Sequence, residues 1–528
     1  QGVQPGWFAK IVEDKFNMKL NMIAPNVAGG GETLFNTRSA AGDLGDLVVT
    51  GSSQHLDEAV KGGLLLEASS YYKNMTNLKK YDAAVKHIAS SEKGVYAFPT
   101  SVSTLKPTQP SEGTEPTFGP YLRWDLYEKL GFPEVGTLED LLPVFKKMQE
   151  LAPTAPNGKR AYALSLFKDW DGNMMNNAKQ PACYYGYDEM GFVLAQADGS
   201  SYESIVDSES HYVRSLKFFF EANKLGLVDP DSAAQNYSTL FSKYQNGQVL
   251  FTFWPWLGQA AYNTDANMAQ GKGFEIAPMA DQKIFSYGAS AYGNSTYAIG
   301  IGSKAKDPQR VAAFIDWLYS NEGAYDNGSQ TGAAAGPKGL TWHLDSSGKP
   351  ELTAFGKKAF LGSGDTAVPA GWGGGVYAKG VSALNVTTVL PVDIDPATKY
   401  PFEYQMWPSY RKLTENPLTQ SWSKKMGDAA NTMDYLRKNG QITVAPGSSY
   451  AAPPDSSTIQ TMRNQIKAVI VQNSWKMALA DSEQQFASLL KNMQETVRGL
   501  GYEQVLELDM KHAKEQNAAR VAVAKKFG

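Results

Sequence analysis

Apolar positions recur at helical spacing in residues 7–16, where Phe8, Ile11, Val12 and Phe16 share one face. A short apolar run at 20–23 predicts a strand, and 32–41 returns to a helical pattern. Residues 42–46 then form a polar turn that feeds a buried strand at 47–49, and 94–98 predicts another strand ending at Pro99. Strand and helix alternate here, which predicts a mostly parallel α/β sheet.

Residues 106–120 break the pattern. They are rich in Pro, Gly, Ser and Thr, carry no periodicity, and predict an extended crossing or surface loop. A second α/β region follows. It has a short helix at 124–130 stopped by Gly131, and a helix at 138–151 capped by Thr137 with Asp140 three residues on. A helix at 211–225 and strands at 249–253 and 273–278 complete it. A strand at 297–301 leads to Asp307-Pro308, a cap and first-turn proline for a helix that aligns Val311, Phe314, Ile315 and Leu318. After about residue 345 polar loops alternate with isolated helices, clearest at 458–479 and 483–499. No repeat of fixed period occurs.

Composition narrows the function classes. The 11 Trp, 27 Tyr and 23 Phe supply core surface that a disordered chain lacks. Lys+Arg 50 against Asp+Glu 53, with no long basic run, argues against a nucleic-acid partner. No apolar run is long enough to span a bilayer. One cysteine, Cys183, excludes a disulfide framework, and five histidines make a histidine metal site improbable. Asp169, Asp171 and Asn173 have the first spacings of a calcium loop, but Met174 and Gln180 stand where glycine and glutamate belong. No metal and no cofactor is expected.

Several motifs together resemble one family. These are Ala41 to Val48, Gly94 to Pro99, Tyr121 to Gly131, Gly247 to Trp256, the stretch from Tyr297 through Asp307-Pro308 to Trp317, and Gly501 to Leu506. Their order and spacing are similar to family 1 of the extracellular solute-binding proteins of ABC importers, in its long oligosaccharide-binding branch, which includes the alginate-binding periplasmic proteins. The resemblance implies an α/β, two-lobe, periplasmic-binding-protein-like (type II) fold with a hinge and extra C-terminal helices. Lobe one would hold 1–105 and 290–345, and lobe two 106–289 and 346–528. It implies an extracellular or periplasmic binder, a monomer that is not an enzyme. Such a protein takes an oligosaccharide in the interlobe cleft and passes it to the permease subunits. Contact with the membrane would run only through an N-terminal lipid anchor outside this chain. The alginate-binding relatives carry an acidic calcium loop where this chain reads Ala152 to Gly158 without acids.

Sugars offer apolar C–H faces and polar rims, so a site for them needs flat aromatic platforms and short hydrogen-bonding side chains. Trp254 and Trp256 follow a strand, in a loop stiffened by Pro255; Trp372 lies among glycines; Trp170 and Tyr185 flank a polar stretch. Each has a core or surface packing reading beside the binding one. Ser52, Ser53 and Ser101 follow predicted strands. Arg123 and Asp125 offer a donor fork and an acceptor, or else a salt bridge with each other. Few Lys or Arg cluster in these loops, which favours a neutral glycan. Two alternatives stay open. One is a glycoside hydrolase using Asp169, Asp171 or Glu403; the other is a peptide receptor of the same fold.

Overall fold

The computed structural model describes residues 1–24, 31–331, 333–361 and 366–528. Most helices form where caps and periodicity place them. Trp7–Phe16 buries Trp7, Phe8, Ile11 and Val12. The Asp307 carboxylate accepts the Arg310 N–H at 3.0 Å and starts Pro308–Leu318. Ser210 caps His211–Lys224 in the same way, through the Val213 N–H. Thr137 is an exception. The helix begins later, at Leu141–Leu151, because the Asp140 carboxylate folds back onto the Gly136 and Thr137 N–H groups.

The sheets differ from the expected parallel arrangement. Asn294–Ile301 lies between Leu47–Val49 and Ala97–Thr100, antiparallel to both. Tyr121–Arg123 likewise lies between Phe251–Thr252 and Phe274–Ile276, antiparallel to both. The outer strands of each trio are therefore parallel to one another, as strand–helix–strand order requires. A strand distant in sequence enters between them, and local periodicity carries no trace of that insertion.

Two large cores result. The first gathers Trp7 to Val102 and Ile299 to Trp407. The second gathers Phe118 to Phe285 and Leu418 to Val505. The sequence reading groups 346–528 with the second lobe, whereas Leu352, Tyr377, Leu384 and Trp407 pack into the first core.

Extended chain runs between the cores. Ile284–Ser290 pairs in parallel with Ile442–Gly447. The segment after Lys106 borders the same pair, since Ser111 N–H donates to Tyr287 O, Ala289 N–H to Gln109 O and Gly447 N–H to Pro107 O. Crowding selects glycine here. A Cβ on Gly288 would stand 2.1 Å from Pro107 O, and one on Gly447 2.0 Å from Ala289 O.

Candidate functional site

Strand Phe251–Thr252 ends against Tyr121–Arg123, and the chain turns at Trp254 into helix Pro255–Tyr262. The sequence reading treats 254–256 as a stiff loop, but Pro255 opens a helix, where its missing N–H costs nothing. This turn sends the two indoles in different directions. Trp254 is 3% exposed, and its Nε1–H donates to Gln180 Oε1 at 3.1 Å. Trp256, in the first helical turn, is 41% exposed.

A second loop brings Trp170, also 41% exposed, beside them. Its ring centroid lies 5.4 Å from Trp256 at 45°, and it meets Trp254 edge-on at 5.9 Å. Tyr237 stacks on Trp170 at 5.2 Å, and Phe167 meets it edge-on at 4.8 Å. The loop is anchored at both sides of Trp170. Asp169 accepts the Tyr237 N–H at 2.8 Å, while Asp171 accepts the Asn176 N–H at 2.9 Å and the Trp475 indole N–H at 2.7 Å. Burial raises the Asp171 carboxyl above its ordinary range. These oxygens are committed to bracing the loop.

The result is a pair of exposed indoles held at an oblique angle over a packed aromatic base. Trp170, Trp254 and Trp256 come together, whereas the sequence reading puts Trp170 on a separate platform with Tyr185. The reading passes over Tyr237; its only signal is its place at the start of helix Tyr237–Gln245, behind the Asn236 cap.

The other candidates lie elsewhere. Arg123 and Asp125 close on each other in two 2.8 Å hydrogen bonds, both side chains buried, with the guanidinium over the Tyr262 ring. Of their two readings, the salt bridge is the one that forms. Ser52 caps helix Ser53–Lys61 by accepting the His55 N–H, and Ser53 begins that helix, exposed. The Tyr185 hydroxyl accepts from the Leu138 N–H and from Arg214 and donates to Asp281, with Arg214 over its ring. Trp372 is half-buried in a short 3-10 turn packed against the first core. Ser101 has φ 51 and donates its N–H to Thr387 O. Thr387 lines a polar cavity of about 340 Å³ together with Gln330, Thr331, Ser382 and Asn385.

Two of the carboxylates named for the hydrolase reading, Asp171 and Glu403, sit against different cores. Asp171 is tied to Trp475 of the second core. Glu403 is buried between Phe402 and Tyr404 of the first, against Gly113.

The family model for bacterial extracellular solute-binding proteins matches residues 7–325, more than half of the chain. Solved structures share the fold along nearly the whole length. A Streptococcus pneumoniae ABC-transporter substrate-binding protein, FusA in complex with kestose, has 14% identity and a TM-score of 0.57, covering 97% of this chain and 96% of its own. A human-milk-oligosaccharide-binding (HMO) solute-binding protein from Bifidobacterium longum infantis has 15% identity and a TM-score of 0.57, covering 98% of each chain. The alginate-binding protein AlgQ2, solved without calcium ion, has 14% identity and a TM-score of 0.54, covering 96% and 94%. No curated protein matches the chain.

Proposed function

The chain belongs to the bacterial extracellular solute-binding protein family, and from that premise we propose that it captures an oligosaccharide for an ABC importer. The two cores act as two lobes joined by the segments around Ser111, Gly288 and Gly447. The ligand lies in the cleft between them, on the face of Trp170 and Trp256. Trp254 and Tyr237 hold those two indoles in place.

The observation that carries this reading is the exposed indole pair. Two large flat side chains, each 41% exposed, rest on a rigid base. Leaving such surface in water is unfavourable unless a ligand covers it. Indoles held in place lose little freedom on binding, so their contact area is converted to affinity efficiently. Sugar rings suit them, having one apolar face and a polar rim. The polar cavity near Ser101 offers amide and hydroxyl groups of the kind that rim needs. FusA, with its bound kestose, and the HMO-binding protein share the fold, which fits a glycan ligand. Few Lys or Arg cluster in the loops that carry these aromatics, which favours a neutral chain. Arg123, Asp125, Tyr185, Ser52 and Ser53 have structural partners or positions and leave the proposed ligand set. Trp372 stays in it only as a weaker candidate, on the first core.

Binding is reversible and one-to-one, without turnover, and the loaded protein is presented to the permease. A thermal-shift screen of oligosaccharides tests this, with kestose, milk oligosaccharides and alginate fragments beside a peptide set. Ligand raises the melting temperature by mass action. A neutral oligosaccharide should give the largest shift and be recovered at full length by chromatography. A shift with peptides alone, or steady release of shortened sugars, would reject the reading.

A further inference from the structure

The 11 Trp, 27 Tyr and 23 Phe of the chain are almost all at least partly buried. Among the described residues four aromatic side chains are exposed. Two are Trp170 and Trp256 of the platform. The other two play no part in it: Tyr287, 39% exposed, and Tyr297, 49% exposed.

Tyr287 lies on the crossing strand Ile284–Ser290. Its ring packs against Phe285 at 5.0 Å and Phe118 at 5.9 Å, and its hydroxyl donates to Asp188 Oδ2 at 2.6 Å. The other Asp188 oxygen accepts from Lys179 Nζ at 2.8 Å, so the ring is fixed although it is exposed. Phe118 joins it to the platform, since the next residue, Gly119, donates its N–H to Phe253 O at 3.0 Å, directly before Trp254.

Tyr297 lies where Asn294–Ile301 enters the first lobe, at a bulge. Asn294 pairs with Thr100 and Ala298 with Pro99, so Ser295 to Tyr297 have no counterpart on Ala97–Thr100. The bulge is stapled on each side. Asn294 Oδ1 accepts the Thr296 N–H at 2.8 Å, and the Thr100 hydroxyl donates to Tyr297 O at 2.6 Å. Among the described residues, no ring packs against Tyr297 and no side chain bonds its hydroxyl. A bulge gives up ladder bonds and re-aims a side chain, and bulges gather beside binding sites for that reason. This one stands at the carboxyl ends of Leu47–Val49 and Ala97–Thr100. Trp254 stands at the carboxyl end of Phe251–Thr252 in the second lobe. Ligands of α/β sheets bind outside such ends.

Stacking sets about one sugar ring on one aromatic face, and we propose that the ligand runs from the indole pair over Tyr287 to Tyr297, so that the protein selects a linear neutral oligosaccharide of about three units or more. This inference rests on the sugar reading above and adds to it the length of the ligand and two contact residues, one on the crossing and one on the first lobe. One residue past Thr100, Ser101 donates its N–H to Thr387 O on the wall of the polar cavity, which leaves hydroxyl and amide groups near the Tyr297 end.

Isothermal titration of the full chain with three size-graded neutral series, fructo-, malto- and milk-type oligosaccharides from disaccharide to hexasaccharide, tests the proposal. In a series that binds, affinity should rise at least about tenfold from the disaccharide to the tetrasaccharide. Tyr297→Ala should cost the tetrasaccharide about tenfold and leave the disaccharide, which the indole pair holds, unchanged. Tyr297→Phe keeps the ring and should bind both like the parent. Tyr287→Ala should weaken the tetrasaccharide by a similar factor, and Tyr287→Phe should restore it. Tyr297→Ala removes no packed contact, and an unchanged melting temperature checks that it folds. A disaccharide that binds as tightly as the tetrasaccharide would overturn the proposal and leave the sugar reading standing. So would a folded Tyr297→Ala or Tyr287→Ala protein that binds the tetrasaccharide like the parent. Binding of none of the three series would overturn the sugar reading and this inference together.

Discussion

Trp254 and Trp256 are two residues apart, yet they face different surroundings, and their substitution should read differently. Trp256→Ala removes an exposed face and leaves the packed base intact. It should lower affinity for the best oligosaccharide of the screen by about thirtyfold, corresponding to about 2 kcal/mol, with little change in melting temperature. Trp254→Ala removes a buried ring and its bond to Gln180, so it should destabilise the protein by about 3 kcal/mol or more. Titration and thermal unfolding of both variants check the pair; a Trp256→Ala protein that melts lower yet binds like the parent would place that indole in the fold alone. Glu403 offers a second test. Burial pushes its carboxyl up to about 7, and its nearest constraint is Gly113, where a Cβ would stand 2.3 Å from the carboxylate oxygens. The folded state therefore holds a proton that the unfolded chain releases near the ordinary value of 4.5. Its contribution is fully present at pH below the ordinary value and is lost as pH rises to about 7, a change of about 3 kcal/mol. Glu403→Gln removes that loss. Denaturant unfolding should show the variant gaining on the parent at about pH 8 but not at about pH 4. A difference that does not vary with pH would mean the carboxyl titrates normally.

Elements were legible in the sequence where a local signal defines them. Asp307-Pro308 and Ser210 announce helix starts because a cap bonds to a backbone N–H only three residues on. Asp140 misleads for the same reason, since one carboxylate can serve the turn before a helix instead of the helix itself. Sheet order was not legible, because Asn294–Ile301 pairs with strands some two hundred residues away. Of the site, the three indoles were readable as unusual residues, but their convergence depends on Asp169 and Asp171 bracing a loop through distant partners. Tyr502–Phe527, the longest helix of the described residues, is marked in the sequence only at its start, by the Gly501 to Leu506 motif, and its mixed polarity hides how far it runs and what it touches. Its start lies in the second core, and its last turn reaches Tyr292, with Phe527 edge-on at 5.4 Å and Lys526 Nζ 3.1 Å from the hydroxyl. Tyr292 in turn stacks on His87 at 4.2 Å, on helix Asp82–Glu92, whose Ala84 and Val85 enter the first core. Ser449 and His87 Nε2 share a hydrogen bond of 2.6 Å. Phe527→Ala should raise hydrogen exchange in the last turns of this helix and around His87, leaving the rest of the protein unchanged. Burial and Lys526 hold His87 below its ordinary value of 6.5, so the folded contact favours neutral imidazole. That stability is present above the ordinary value and is lost as pH falls, so the same amides should lose protection, measured against the intrinsic exchange rate at each pH, in acid. Uniform exchange in both experiments would mean the helix end carries no such contact.

For the whole molecule, the distribution of apolar contacts matters more than any one site. Each core is closed by its own tryptophans, Trp7, Trp342 and Trp407 in one and Trp124, Trp254 and Trp475 in the other. Moving one core relative to the other leaves both packed, so the deformation concentrates in the chain between them. That chain is narrow. At Gly288 and Gly447 the neighbouring backbones approach too closely for any side chain, which keeps the segments in register. Such a connection bends more easily than it shears. A ligand lying on Trp170 and Trp256 and touching the first core as well would gain contacts only when the cores approach, and so would favour the closed arrangement. Small-angle scattering at saturation with the best oligosaccharide should therefore show a smaller radius of gyration than the free protein. Gly288→Val should disrupt the crossing, lower the melting temperature and broaden the scattering-derived size distribution even without ligand. An unchanged radius at saturation, in a protein whose Gly288→Val variant melts lower as expected, would show that the crossing is a rigid joint and that the ligand lies on one core alone.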